Sequence, residues 1–313
     1  MKMRRLFGDT VALFAATAML AGCSGVRPAL MTPGTLPAVQ QDGPLSSGSD
    51  LLYVSDDGPD VLIFTYPAGA HVATLKGFNG AQGECVDGSG DVWIADHLAS
   101  EMVEYGHGST KRKARLLDRG YYPQGCAIDP ATGNLAVSNA TGFHGSGDLL
   151  VYQGAHGKPE RFTDPDFQGY YFCGYDNKGD LFVDGTGGGY NRYAVLRRGS
   201  QTLETIPLEQ DLYVSGSVQW DGKYMTLGGW NGEETVLYQT KGMSGQVIGS
   251  IDLDKSEGAN TFWIRNGTVV DSSCCGWGVF FYNYPAGGAP TKILRDRFYP
   301  YGVVVSSAGG SRR

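Results

Sequence analysis

The phrase Tyr-Pro-Ala-Gly occurs twice, at Tyr66–Gly69 and Tyr284–Gly287, and the two copies stand 218 residues apart. Dividing that interval by five gives a period of about 44. The strands leading into the two phrases place Phe64, Tyr105, Tyr152, Leu196, Tyr238 and Tyr282 in one column, with steps of 41, 47, 44, 42 and 44 residues. A fixed period of this size carried by short strands is the signature of propeller blades, because one four-stranded unit cannot bury its own faces and a ring of such units can.

A second column repeats at the same interval. GECVDGSGDVWIAD, GCAIDPATGNLAVSN, CGYDNKGDLFVDG, VQWDGKYMTLGG and FWIRNGTVVDSS each read as strand, tight turn, strand. The turns supply Gly for positive φ and Asp for local side-chain bonds, as at Asp87-Gly88-Ser89-Gly90, Asp129 to Gly133 and Asp176 to Gly179. The segments between turns are too short, and too rich in β-branched and aromatic residues, for helices. The chain therefore reads as all-β. The first blade takes strand a at Glu84 to Asp87, b at Asp91 to Asp96, c at Glu101 to Tyr105 and d at Arg112 to Leu117. Five complete blades follow from Gly83, leaving an orphan inner strand at Tyr301 to Ser306. Its partners are Asp50 to Asp56, Val61 to Tyr66 and His71 to Lys76. The expectation is a six-bladed β-propeller closed by N-terminal strands pairing with a C-terminal inner strand. Both Tyr-Pro-Ala-Gly phrases then become c to d turns of neighbouring blades.

Over roughly residues 50 to 308 the chain resembles the NHL-type six-bladed propellers, including the gluconolactonase-like relatives. The resemblance is carried best by Pro123-Gln124-Gly125-Cys126-Ala127-Ile128-Asp129 with Gly133-Asn134-Leu135-Ala136-Val137-Ser138-Asn139. It implies the fold and not the activity, since members bind proteins, sugars or metals and some hydrolyse lactones.

The ends carry a different signal. MKMRRLFGDTVALFAATAMLAGC has a basic start, an apolar run and small residues before a cysteine. Leu20-Ala21-Gly22-Cys23 resembles the lipobox of bacterial lipoproteins, which implies residues 1–22 as a signal peptide and lipidation of Cys23. Ser24 after it implies sorting to the outer membrane of the cell envelope, on its periplasmic or surface face. Residues 23–49, rich in Pro, Gly, Ser, Ala and Gln, read as a flexible tether, residues 50–308 as the propeller and residues 309–313 as a disordered tail. The acyl chains make the membrane a partner without a spanning segment. The formal net charge is −7, and removing a leader that carries Lys2, Arg4, Arg5 and Asp9 makes the remainder more acidic, which argues against a nucleic-acid partner.

Function is expected where the d to a and b to c connections rim one mouth of the central channel. The residues before the inner-strand glycines are Gln82, Gln124, Ser215, Glu257 and Tyr301, with Tyr171 at the matching place in the third blade. Tyr122 joins them, and Trp230 and Trp277 stand on b to c loops. This polar and aromatic ring suits stacking on flat sugar faces or peptide side chains. It marks a binding or scaffolding module for a carbohydrate, peptide or protein ligand, with no catalytic residue assigned and no cofactor. Hard-cation chemistry needs several oxygens, and the inner ring offers one carboxylate, so a metal-dependent lactonase-like hydrolase with a cation near Glu257 stands as the alternative. Asp56, Asp96, Asn139, Asp184 and Asp271 recur at strand-b ends and read as structural ties to the next loop rather than ligands. The five histidines show no paired metal-ligand spacing. Of the six cysteines, Cys23 goes to lipid. Two pairings stay open for the others: Cys126 with Cys173, which share one inner-strand slot in adjacent blades, and a vicinal bond between Cys274 and Cys275.

Overall fold

The computed structural model describes residues 48–56, 58–142, 145–208, 216–273, 277–295 and 299–309. The leader, the tether with Cys23, and the candidate residues Ser215, Cys274 and Cys275 lie outside them. Six sheets of antiparallel strands are arranged around an axis, and the only helical pieces among the described residues are two 3-10 turns, Gln153–Ala155 and Gly242–Ser244. The expected six-bladed propeller is the observed fold.

The first blade comprises Ala81–Val86, Val92–Asp96, Glu101–Tyr105 and Arg112–Leu117 as strands a to d. The second runs Tyr121–Ile128, Leu135–Gly142, Leu149–Tyr152 and Glu160–Phe162, with the short Gly145–Ser146 extending its b strand as a hairpin. The third has Gly169–Tyr175, Leu181–Gly187, Tyr190–Leu196 and Leu203–Thr205. The fourth has Val218–Trp220, Met225–Trp230, Thr235–Thr240 and Val247–Leu253, and the fifth Ala259–Arg265, Thr268–Ser273, Gly278–Asn283 and Lys292–Leu294.

The sixth blade closes the ring. Its inner strand, Pro300–Ser306, pairs antiparallel with Leu51–Asp56, and Asp60–Thr65 and His71–Lys76 complete it. Tyr53 faces Val304 across this seam, and both are fully buried. Burying an aliphatic side chain of this kind contributes about 1.5–3 kcal/mol, so the seam is part of the core. Both Tyr-Pro peptide bonds of the repeated phrase are cis. Both turns are closed in the same way, Gly69 N–H to Thr65 O (2.6 Å) and Gly287 N–H to Asn283 O (2.8 Å), each glycine having a positive φ. The repeated words are equivalent c to d turns, as expected from the spacing.

Each apolar cluster lies between two neighbouring blades, so strands bury both faces and their residues alternate between the preceding and the following neighbour. That alternation corrects one expected pairing. Cys126 is bonded to Cys85 (Cα–Cα 5.6 Å), and Cys173 is a buried free thiol. Cys126 packs with Trp93 and Met102 of the first blade, and Cys173 packs with Ala136 and Leu149 of the second. Equivalent slots thus point the same way around the ring and never meet. Cys85, one position off the column beyond a bulge in its strand, points forward and meets Cys126.

Candidate functional site

The inner strands of the six blades run the same way along the channel, giving it two unlike mouths. One is rimmed by the d to a and b to c loops, the other by the a to b turns.

At the loop mouth one pair of candidate residues bonds to each other and the rest are held by neighbouring groups. Gln124 Nε2 donates to Gln82 Oε1 (3.1 Å), joining the inner strands of the first two blades. Tyr171 Oη lies 3.0 Å from Thr186 Oγ1. Tyr122 stacks on the His97 ring at 5.1 Å, and His97 Nδ1 is 3.0 Å from the Pro123 carbonyl. Burial lowers the His97 pKa, with the bond to the Pro123 carbonyl partly opposing it. The Tyr301 carbonyl accepts from Thr261 Oγ1 (3.3 Å), and the same hydroxyl accepts from Val303 N–H (2.9 Å). Trp230 ends strand b of the fourth blade and is half-exposed. Glu257 is held by its backbone: its N–H donates to Ser273 Oγ and its carbonyl accepts from that hydroxyl, both at 2.9 Å, while the residue is exposed. Among the described residues it belongs to no cluster of three metal-ligating side chains. The one such cluster, Asp87, Asp91 and Glu104, lies in the first blade, and Lys113 pairs with Asp91 and with Glu104 (3.0 Å to the latter).

The recurring b-end residues are ties, as their repetition suggests. Asp96 Oδ1 accepts Asn79 N–H (2.7 Å), Asp184 Oδ1 accepts Phe172 N–H (2.8 Å), Asp56 Oδ1 accepts Tyr299 N–H (2.5 Å) and Asp271 Oδ2 accepts Ser256 Oγ–H (2.5 Å). In the second blade Asn139 Nδ2 donates instead to Asp148 Oδ1 (2.6 Å). Burial raises the pKa of Asp271 to about 7 and that of Asp184 well above the usual carboxylate range. Three rings on this mouth remain open to solvent: Tyr190, at the b to c turn of the third blade with Arg192 over its face, and a packed pair. Trp277 and Tyr299 pack at 4.8 Å between centroids and are 43% and 38% exposed. Tyr299 stands in the aromatic run before the closing strand, beside Tyr301, and lies outside the column of residues that precede the inner-strand glycines.

At the turn mouth the inner strands enclose a cavity of about 660 Å³. None of the eight described residues expected at the rim lines it. The residue before each a to b turn contributes one member per blade: Val86, Ile128, Tyr175, Trp220, Arg265 and, after the closing strand, Ser307. In the first four blades that column is visible in the sequence, directly before a turn aspartate, and an inner-strand aromatic there reads as core.

No protein-family model matches the sequence, and no curated protein matches it. Solved structures do resemble it. A chain from the crystal structure of a nidogen/laminin complex superposes with a TM-score of 0.68 at 9% identity, covering 83% of this chain and 99% of that one. A protein of unknown function from Bacteroides caccae superposes with a TM-score of 0.62 at 13% identity, with the same coverage of each chain. At such identities the likeness establishes the fold alone, and it is the fold of a β-propeller.

Proposed function

We propose that this chain is a non-catalytic binding propeller of the NHL type, held at the bacterial cell envelope by lipid on Cys23, which engages a sugar, peptide or protein through the loop mouth. The observation that carries this reading is the Trp277–Tyr299 pair, two large rings left open beside a rim whose inner amides bond to one another. Exposed paired aromatics supply stacking area at small entropic cost. The tied carboxylates also favour binding over hydrolysis, because a general acid or base must reach a substrate. The nidogen/laminin neighbour comes from a protein complex, and a protein ligand is within the same reading here. The Cys85–Cys126 bond suits export to an oxidising compartment.

A thermal-shift screen of the purified protein against oligosaccharides, peptides, divalent ions and lactones tests it, since a ligand of the native state raises apparent stability. The expected hit loses its shift in the Trp277→Ala variant. Lactone turnover dependent on a bound divalent ion would instead establish the hydrolase, and a hit insensitive to both Trp277→Ala and Tyr299→Ala would remove the rim.

A further inference from the structure

The turn mouth is independent of that reading and is built differently. Its cavity size lies within the range of small-molecule sites. Tyr175, Trp220 and Trp263 form an aromatic wall, and Trp263 packs both on the cluster between the fifth and sixth blades and on the cluster between the sixth and first. The indole therefore lies across the inner ends of three blades. Gln219 fixes its neighbour: Nε2 donates to the Ile264 carbonyl (3.0 Å) and Oε1 accepts Ile264 N–H (2.7 Å).

Charge on this wall is unbalanced. Arg265 Nη2 meets Asp50 Oδ2 at 3.0 Å, so the one lining cation already has its counter-ion. Three lining carboxylates remain: Asp87, Asp176 and Asp221. The last is saturated, accepting Lys223 and Tyr224 N–H on Oδ1 and Gln239 Nε2 and the Tyr284 hydroxyl on Oδ2. Asp87 and Asp176 use only Oδ1, each for two amides of its own turn. Neither Oδ2 accepts a hydrogen bond among the described residues. Anionic oxygens beside aromatic faces, in a partly enclosed space, are the chemistry that holds an organic cation.

We propose that the turn-mouth cavity is a second ligand site, one that takes a small organic cation: an ammonium or guanidinium carried on an apolar body. The apolar body lies on Trp220 and Trp263, and the cation reaches the unsatisfied oxygens of Asp176 and Asp87.

The five tryptophans make the test specific. Trp93 is buried, Trp230 and Trp277 stand at the loop mouth, and Trp220 and Trp263 line the turn mouth. Titrating ¹⁵N-labelled protein with benzylamine, and separately with its neutral counterpart benzyl alcohol, reports on each mouth through the indole N–H resonances. The expected result is saturable shifts of the Trp220 and Trp263 resonances with benzylamine, and affinity weaker by about tenfold for the alcohol. Asp176→Asn keeps an oxygen for its turn amides and weakens benzylamine by a similar factor; Asp87→Asn does the same should the first variant not fold. Equal affinity for the neutral compound, affinity unchanged in a folded variant, or shifts confined to Trp230 and Trp277 would overturn the proposal. The last of these would leave the loop-mouth reading standing.

Discussion

The first blade has two neighbours and is joined to them by opposite means. Toward the sixth blade the contacts are non-covalent: Ser55 Oγ–H donates to Glu84 Oε1 (2.7 Å), Gly108 N–H donates to the Tyr53 hydroxyl (2.8 Å), and His107 Nδ1 lies 2.6 Å from Ser306 Oγ. Toward the second blade the inner strands are covalently joined through Cys85 and Cys126, with the Gln82–Gln124 amide pair beside the bond. The sixth blade is assembled from both ends of the domain, and its junction with the first is held by packing and buried polar pairs. The second junction links strands only 41 residues apart. One ring thus combines a locally stapled junction with a closure that depends on burial.

The largest effect expected from breaking that comparison is at the closure. Val304 is fully buried opposite Tyr53, so Val304→Asp places an unpaired charge in the seam and the adjoining core at once. A loss of more than about 4 kcal/mol is expected, enough to leave the chain without a cooperative unfolding transition in calorimetry. A cooperative transition near that of the wild type would show that the ring does not depend on its seam.

The staple comes next. Replacing Cys85 and Cys126 together by Ala should cost about 2–4 kcal/mol in denaturant unfolding, with the native blade arrangement retained. How little of this pairing was legible is instructive. Blade number, turns and ring closure could be read from the chain because each blade repeats its own local chemistry, a turn aspartate here and a buried strand there. The disulfide depended on direction across the ring: Cys126 and Cys173 share a slot and for that reason both point to the preceding blade and do not meet, while Cys85, one position off that slot, faces forward and finds Cys126. The same limit hid the turn mouth. Tyr175 and Trp220 are indistinguishable in sequence from core aromatics, and only six inner strands brought together show that they line one cavity. At the loop mouth, Gln82 and Gln124 occupy equivalent positions in the sequence, and their mutual bond required coordinates.

A pH effect separates the two junctions further. Burial pushes the Glu84 carboxyl up to about 8, against 4.5 for an ordinary glutamate, with the Ser55 hydrogen bond only partly opposing it. The folded chain therefore keeps a proton that the unfolded chain releases. This contribution is complete below pH 4.5, falls between about 4.5 and 8, and is gone as pH rises through the folded value. The slope is up to about 1.4 kcal/mol per pH unit. Glu84→Gln keeps the neutral shape and removes the titration, so its stability should vary less steeply than the wild type's across that window. The buried acids Asp96, Asp118, Asp184 and Asp271 are common to both proteins and cancel in the difference. Parallel stability–pH curves for the two would mean that the closing junction holds no proton.

The smallest effect tests whether the amide pair beside the disulfide matters once the staple is present. Gln82 and Gln124 are half-buried, so water can replace the lost partner in Gln124→Ala, and a neutral hydrogen bond of this kind is worth about 0.5–1.5 kcal/mol. With the disulfide intact, the adjoining inner strands stay together and the cost should sit at the low end. In the Cys85→Ala, Cys126→Ala background the same strands are held there by packing and this amide bond, so the cost should move to the high end. The difference between the two measurements is the coupling energy of neighbouring contacts across one junction. A coupling of zero would mean that bond and amides act independently, and the contrast between a stapled and an unstapled junction would then rest on the sulfur bridge alone.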